Sequence, residues 1–223
     1  MSKRKIGMWM YSNGGGEEIQ EKMVSRLKER EIKTITGLDL RYARADKNKI
    51  TCCNRTNILD LDLFFSYNAG EQTVAQVYMY EIVSQYIPTV NSFKAFSLSE
   101  DKFRTNLALT QAGINTPDFF LCCRETPQYV IEKLDEWKKM VYKPIDGWGG
   151  HGMALLDSHQ TLDTLLPFIN QTDIRHIYLE KFIKNDFTDF RVDIVDGKFV
   201  ACYGRKARDR GWRTNVTSGG SVI

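Results

Sequence analysis

No CxxC spacing occurs in this 223-residue chain and it holds only three histidines, so it offers no ligand set for a structural zinc. Its five cysteines, Cys52, Cys53, Cys122, Cys123 and Cys202, are odd in number and four fall in adjacent pairs. That pattern reads as free thiols in a reducing compartment, not as a disulfide framework. Long apolar runs are lacking too. The basic N-terminus leads only into IGMWMY, too short for a signal peptide or a membrane span. The expected location is therefore cytoplasmic, with no membrane partner. Neither charge sign dominates: a net charge of +3 does not by itself imply a nucleic acid. Repeats and low-complexity segments are absent. With 42% apolar and 26% charged residues the composition is that of a globular protein, long enough for one large or two small domains.

What is present begins as a β-loop-α unit. Lys5 to Tyr11 is a short apolar run, Ser12-Asn13-Gly14-Gly15-Gly16 a turn, and Ile19, Met23, Val24 and Leu27 follow at helical spacing. Glu17 and Glu18 occupy the first helical turn, where they complement the helix dipole and would repel a pyrophosphate, so this glycine turn reads as structural. Strands are expected at Ile32 to Ile35 and Leu61 to Tyr67, a helix at Val74 to Tyr86, and a return to the sheet at Pro88 to Asn91. Asp39 to Thr56 reads as polar loop with a short strand at Ile50 to Cys53. Alternating strands and helices over 1–95 imply an open α/β domain.

A helix then starts near Ser99-Glu100-Asp101-Lys102, with Ser99 as N-cap, and ends at Gly113 and Pro117. Lys102 and Arg104 fall near its first turn, where the dipole disfavours cations unless they serve an anion. Further expectations are a strand at Thr116 to Cys123, helices at Thr126 to Lys138 and His159 to Asn170, and a strand at Ile177 to Ile183. A hairpin of Phe190 to Val195 with Lys198 to Tyr203 turns at Asp196-Gly197.

The stretch from Met140 to Asp157, MVYKPIDGWGGHGMALLD, carries the most chemistry. Lys143 precedes Gly147, Gly149, Gly150 and Gly152, and glycines let backbone N–H groups approach an anion closely. The pattern formally satisfies G-x-G-x-x-G, but no helix follows as a Rossmann site requires. No Gly-Lys-Ser/Thr follows as in a Walker A loop. Nor is there a later strand lysine with a His-Arg-Asp loop, as in protein kinases. A lysine strand, a glycine hairpin and a second strand remain, an arrangement that covers a triphosphate from above.

Several motifs in series resemble the ATP-grasp superfamily, in the branch of glutathione synthetase and the RimK-type glutamate ligases. They are SEDK, QAGINTP, VYKPIDGWGGHGM, YLEKFI, DFRVDIVDGKFVACYGRKA and WRTNVTSGG, covering roughly residues 95 to 220. The resemblance implies an α/β chain of the α+β ATP-grasp fold. A Rossmann-like pre-ATP-grasp domain (1–95) would be followed by a central lobe with the glycine flap (96–176) and an incomplete C-terminal lobe (177–223). It implies ATP between the lobes, with Lys102 and Lys143 on phosphates and Gly147, Trp148, Gly149, Gly150, His151 and Gly152 above them. Glu180, Lys181 and Phe182 would line the adenine, and Asp189 would lie at the nucleoside. Arg191 and Arg205 would meet phosphate or a carboxylate substrate. Arg213, Thr214 and Asn215 match the family's R-x-N segment beside phosphate and acyl group. The activity implied is ATP-dependent carboxylate–amine ligation through an acylphosphate, releasing ADP and phosphate, with an amino acid such as glutamate joined to a peptide, protein tail or small molecule. No side-chain nucleophile is then needed, in keeping with the absence of Ser-His-Asp or Cys-His patterns; positioning and charge stabilisation suffice.

The family's Mg²⁺ (or Mn²⁺) ligands follow the R-x-N segment at a distance, whereas Ile223 lies eight residues past Asn215. They are expected in a C-terminal lobe outside this sequence, as in a fragment of a longer protein, with no metal ligand among the residues present. The chain alone is expected to bind nucleotide weakly without turnover. Two other readings stay open. Residues 204–213, basic and interleaved with Tyr203 and Trp212, could bind nucleic acid, although nearby acids dilute the field. A catalytically inactive ATP-binding scaffold is the other. A homo-oligomer is left open.

Overall fold

The computed structural model describes residues 4–12, 15–52, 54–67, 72–147, 149–209 and 211–223. Of the residues singled out above, Asn13, Gly14, Cys53, Trp148 and Arg210 lie outside that set. The chain divides into two compact units, Met1–Ser97 and Leu98–Ile223.

The first unit runs β1 (Lys5–Met10), α1 (Gly16–Glu29), β2 (Lys33–Ile35), β3 (Arg44–Asp46), β4 (Lys49–Thr51), β5 (Leu63–Tyr67), α2 (Val74–Tyr86), β6 (Thr89–Val90) and α3 (Phe93–Ser99), which reaches the unit boundary. Its main sheet has the order β2-β1-β5-β6 with parallel pairs throughout. Met8, Trp9 and Met10 are consecutive and all buried, as a parallel strand covered on both faces requires. The turn before α1 is structural in a definite sense. A Cβ on Gly16 would meet the Tyr11 carbonyl oxygen at 2.1 Å, so close backbone packing excludes any side chain there. The segment expected to be polar loop, Asp39 to Thr56, instead inserts Leu40, Ile50 and Cys52 into the core beside Leu38, Ile58 and Phe64. Single apolar residues in a polar context carry no periodic signal, and only the tertiary fold shows that they are inside. The strand placed there at Ile50 to Cys53 is the short β4, paired with β3.

The second unit runs α4 (Lys102–Gln111), β7 (Phe119–Cys123), α5 (Gln128–Trp137), β8 (Met140–Tyr142), β9 (Ala154–Leu156), α6 (His159–Asn170), β10 (His176–Lys181), β11 (Thr188–Val195), β12 (Lys198–Lys206) and β13 (Ser221–Val222). Ser158 caps α6 through a capping box with Thr161. The N-cap of α4 is not Ser99, which ends α3. It is Asp101, whose carboxylate accepts from Arg104 N at 2.8 Å. Asp is as good a cap as Ser, and α3 running through Ser99 leaves it no capping geometry.

The sheet β7-β10-β8-β9 is antiparallel and two-sided. Alternation along strands puts Phe120, Met140, Tyr142, Leu156, Ile177 and Leu179 on one face, where they pack with Val130, Leu134, Leu162 and Ile169 of α5 and α6. The register sets Glu180 opposite Val141, and Lys143 donates its backbone N–H to the Tyr178 carbonyl at 3.1 Å just past the end of β8. Val141, Lys143, Tyr178 and Glu180 thereby share the opposite face, and α4 covers part of it. Phe103 stacks edge-on against Phe119 at 5.6 Å and Tyr178 at 6.5 Å.

The β11–β12 hairpin turns at Asp196 and Gly197, both at positive φ (52° and 69°), the type I′ signature. One face of the hairpin exposes Phe190, Val192, Ile194 and Phe199 to solvent. The other presents Asp189 and Arg205, directly opposed in register. No helix among the described residues is long and apolar enough to cross a membrane.

Candidate functional site

Two adjoining clefts in the second unit collect most of the predicted residues. One, of about 330 Å³, is lined by Lys102, Lys143, Gly147, Gly149, Gly150, His151, Arg213, Thr214 and Asn215, with Asp189, Pro144, Met153 and Trp212. The other, of about 250 Å³, shares Lys143, Met153, Asp189, Trp212 and Thr214 with it and adds Val141, Glu180, Lys181, Phe182 and Ile183. The first is cationic and backbone-rich. The second has apolar walls and, at Lys181 and Phe182, the end of β10.

Lys102, first residue of α4, directs its backbone N–H to the Ile145 carbonyl at 3.1 Å and its ammonium to the Gly147 carbonyl. The helix start is therefore docked on the glycine loop, which accounts for a cation in a first turn. Burial first, and then the like charge of Lys143, pull the Lys102 pKa below the usual lysine range; Asp146, Glu180 and Glu100 oppose this. Burial likewise pushes the neighbouring Glu100 carboxyl up. An anion bound beside Lys102 raises its pKa back, so binding takes up protons. Affinity for a phosphate ligand is then full below the free-state pKa and declines as pH rises through it, earlier than for an ordinary lysine at ~10.4. Titration of ATP affinity from neutral to alkaline pH checks this, with Lys102→Arg expected to flatten the decline.

Lys143 forms an ion pair with Glu180, whose other carboxylate oxygen accepts from Tyr178 at 2.9 Å and Asn106 at 3.2 Å. Glu180 is thus committed to Lys143. The hairpin loop is held from the far side: the Gly149 carbonyl accepts from Thr217 Oγ1 at 2.7 Å and Ser218 Oγ at 3.0 Å. Arg213 donates through Nη2 to the Met153 carbonyl, while its Nε is buried with no partner among the described residues. A buried guanidinium N–H without an acceptor fits an anion in the cleft.

Gly150 sits at φ +77°, and a Cβ there would lie 2.6 Å from Asn215 Oδ1. Gly150→Ala is expected to cost about 1–2 kcal/mol for the left-handed backbone and to push the Asn215 side chain away, weakening nucleotide binding. Gly152→Ala, at φ +67° but against Pro144 instead of Asn215, is the control; thermal melts with and without ATP separate strain from contact.

Asp189 accepts two hydrogen bonds from Arg205, 2.8 Å from Nε and 2.6 Å from Nη2, and one from Thr214 at 2.6 Å. These contacts, the Arg205 pair foremost, hold its carboxyl below the usual range. Arg205 is therefore held against Asp189, and it lines neither cleft. Arg191, exposed on β11, lines neither cleft. Gly152 packs on Pro144 at the loop's exit. Sequence reasoning passed over Val141, Met153, Asn106 and Tyr178, and noted Trp212 only within a basic run. The alternation Tyr178-x-Glu180 along one strand was the available signal for one of them.

A four-stranded antiparallel sheet, a glycine hairpin beyond a lysine and a second sheet facing it define an ATP-grasp domain. A family model described as the RimK-like ATP-grasp domain matches residues 99–223, and the chain belongs to that family. The tetrahydromethanopterin:alpha-L-glutamate ligase of Methanocaldococcus jannaschii is 27% identical over 188 residues, 82% of this chain and 60% of that protein. A probable alpha-L-glutamate ligase of Legionella pneumophila (strain Corby) is 31% identical over 137 residues, 60% of this chain and 45% of that protein. The chain thus spans under two thirds of either relative's length. Among solved structures, a RimK domain protein ATP-grasp from Sphaerobacter thermophilus DSM 20745 superposes with TM-score 0.64 at 15% identity, covering 85% of this chain and 68% of that one. The D-alanine–D-alanine ligase from Bacillus anthracis complexed with ATP gives 0.62 at 18%, covering 92% and 65%. Identities this low show the shared fold alone.

Proposed function

We propose that this chain is the nucleotide-binding portion of an ATP-dependent carboxylate–amine ligase of the cytoplasm. In that reading 1–95 is the pre-ATP-grasp domain, 96–176 the central lobe and 177–223 the start of the C-terminal lobe. The observation that carries it is the convergence of Lys102, Lys143 and the partnerless Arg213 Nε on one cleft roofed by glycines. A carboxylate attacking a γ-phosphate brings anions together, and three cations in a partly desolvated cleft offset that repulsion. Polyphosphate would lie against Lys102, Lys143, Arg213 and the loop of 147–152. Val141, Met153, Ile183 and Trp212 would wall the base, whose edge would meet backbone groups at Lys181 and Phe182. Asn215 would face the reacting acyl group, and Asp189 and Thr214 the ribose side. Arg205 serves this arrangement by holding Asp189.

Among the described residues no group of three or more His, Cys, Asp or Glu stands together to hold a metal ion. Glu180 and Asp189, the carboxylates that line the two clefts, are already paired with Lys143 and Arg205. The named relatives are an alpha-L-glutamate ligase and a probable one, so L-glutamate is the first amino acid to test, with a peptide, protein tail or small molecule as its partner. In the full-length ligase, since this portion by itself is expected to bind nucleotide without turnover, ADP formation from ATP in the presence of each proteinogenic amino acid, alone and with peptide acceptors, tests the ligase reading. ATP binding without ADP release under any of these conditions would replace it with an ATP-binding scaffold.

A further inference from the structure

Behind Lys143 lies a group of three polar side chains, of which only Glu180 reaches a cleft. Tyr178 is fully buried on β10, Glu180 is 8% exposed two residues further along the same face, and Asn106 reaches them from α4, one turn after Phe103. Asn106 Nδ2 donates to the Tyr178 hydroxyl at 2.6 Å and to Glu180 Oε1 at 3.2 Å. The Tyr178 hydroxyl donates to the same Oε1 at 2.9 Å. Proton bookkeeping fixes every direction in this triangle. A carboxylate oxygen can only accept, so the amide must turn its NH₂ to it; the phenol takes the Asn106 hydrogen on a lone pair and gives its own to Glu180. Oε1 is thereby occupied, and Oε2 alone is left to hold Lys143.

We infer that Asn106 and Tyr178 are positioning residues for Lys143, acting through Glu180. They touch neither the ammonium nor the cleft: neither lines it. What they fix is the rotation of the Glu180 carboxylate. A carboxylate anchored at one oxygen holds one lysine in one place with its other oxygen. Released, it can turn towards Lys102 as well, whose charge already feels it, and cancel the field that a polyphosphate would meet. Two donors on Oε1 also draw charge from Oε2, so Lys143 can be shared with a phosphate rather than locked to its counter-ion. The consequence for affinity rests on the nucleotide reading of the cleft; the fixing of Lys143 does not.

The experiment uses the full chain with Tyr178→Phe, Asn106→Ala and Lys143→Ala, singly and paired, and two readouts. The first is Kd for ATP with magnesium, by displacement of a fluorescent ATP analogue. Tyr178→Phe and Asn106→Ala are each expected to weaken binding roughly tenfold, as for a lost hydrogen bond to a charged group. Neither should matter further once Lys143 is alanine, since they act through it. The second readout needs no nucleotide: the rate of reductive methylation at Lys143 relative to the other lysines, by mass spectrometry. It is expected to rise in both variants as Glu180 loosens. If ATP binds, Lys143→Ala weakens it and the other two variants match the parent, the inference is overturned while the nucleotide reading stands. Losses that add fully to that of Lys143→Ala overturn it as well, because they mark general damage. If the parent binds no ATP yet Lys143 labelling rises in both variants, the nucleotide reading falls and the positioning of Lys143 survives.

Discussion

Lys143→Ala is expected to abolish the rise in melting temperature that ATP with magnesium produces, and to lower the stability of the nucleotide-free chain by about 2–3 kcal/mol. The two effects share one cause. Lys143 keeps 23% of its side-chain exposure and Glu180 only 10%, so removing the lysine strands a desolvated carboxylate. The figure falls at or below the low end of the ~3–5 kcal/mol for broken buried pairs because Lys143 is still partly wetted. Adding Glu180→Gln to Lys143→Ala takes the stranded charge away and should recover most of the stability, since the carboxamide oxygen so introduced can still accept from Tyr178 and Asn106. It should recover no nucleotide binding, because the cation itself is gone. Unfolding in urea with and without nucleotide reads both quantities on one sample. An intact nucleotide shift in Lys143→Ala would remove Lys143 from the site, and an unchanged baseline would show that its pair with Glu180 is of the weak, solvated kind.

How legible this was in the sequence differs sharply between neighbouring residues. Local signals held where the physics is local. The α6 boundaries follow from Ser158 and the apolar spacing after it, the hairpin turn from Asp196-Gly197, and the glycine loop from its own composition. Long-range pairing leaves no such local signal. Arg205 was expected to meet phosphate or a carboxylate substrate, and the reason it meets Asp189 is one extra residue. Counting back from the turn, an unbroken ladder sets Asp189 opposite Gly204. The register shift at Asp193/Ile194 moves every later pair by one and sets Asp189 opposite Arg205. No composition rule announces such a bulge. Asn106 is a further case: it is an unremarkable polar position on a helix until α4 crosses a strand 74 positions later in the chain. Glu180 reads as an adenine-side residue by its place beside Lys181 and Phe182, whereas its side chain pairs with Lys143.

Asp189→Ala carries the other large effect, and it can be read through pH. The substitution removes three hydrogen bonds and leaves the Arg205 side chain, 15% exposed, without its acid. Asp189 is itself 39% exposed, so solvent screening reduces the loss to about 1–2 kcal/mol near neutral pH. The sign follows from the depressed carboxyl. A folded-state pKa below the unfolded value means that the pair's stabilisation is fully present above ~pH 4 and is lost as pH falls through the folded pKa. The parent and Asp189→Ala should therefore differ most in melting temperature at neutral pH and converge in acid. Asp189→Asn, which keeps one acceptor but no charge, should fall between them at neutral pH. The same carboxylate holds Thr214 next to Arg213, so Asp189→Ala should also loosen the 213–215 segment and weaken ATP binding roughly tenfold. Arg205→Ala separates the two roles. If Arg205 only anchors Asp189, its loss should resemble Asp189→Ala in both stability and affinity. If Arg205 were itself the phosphate contact, its loss would weaken ATP binding much more than Asp189→Ala does, and the anchoring role would be wrong.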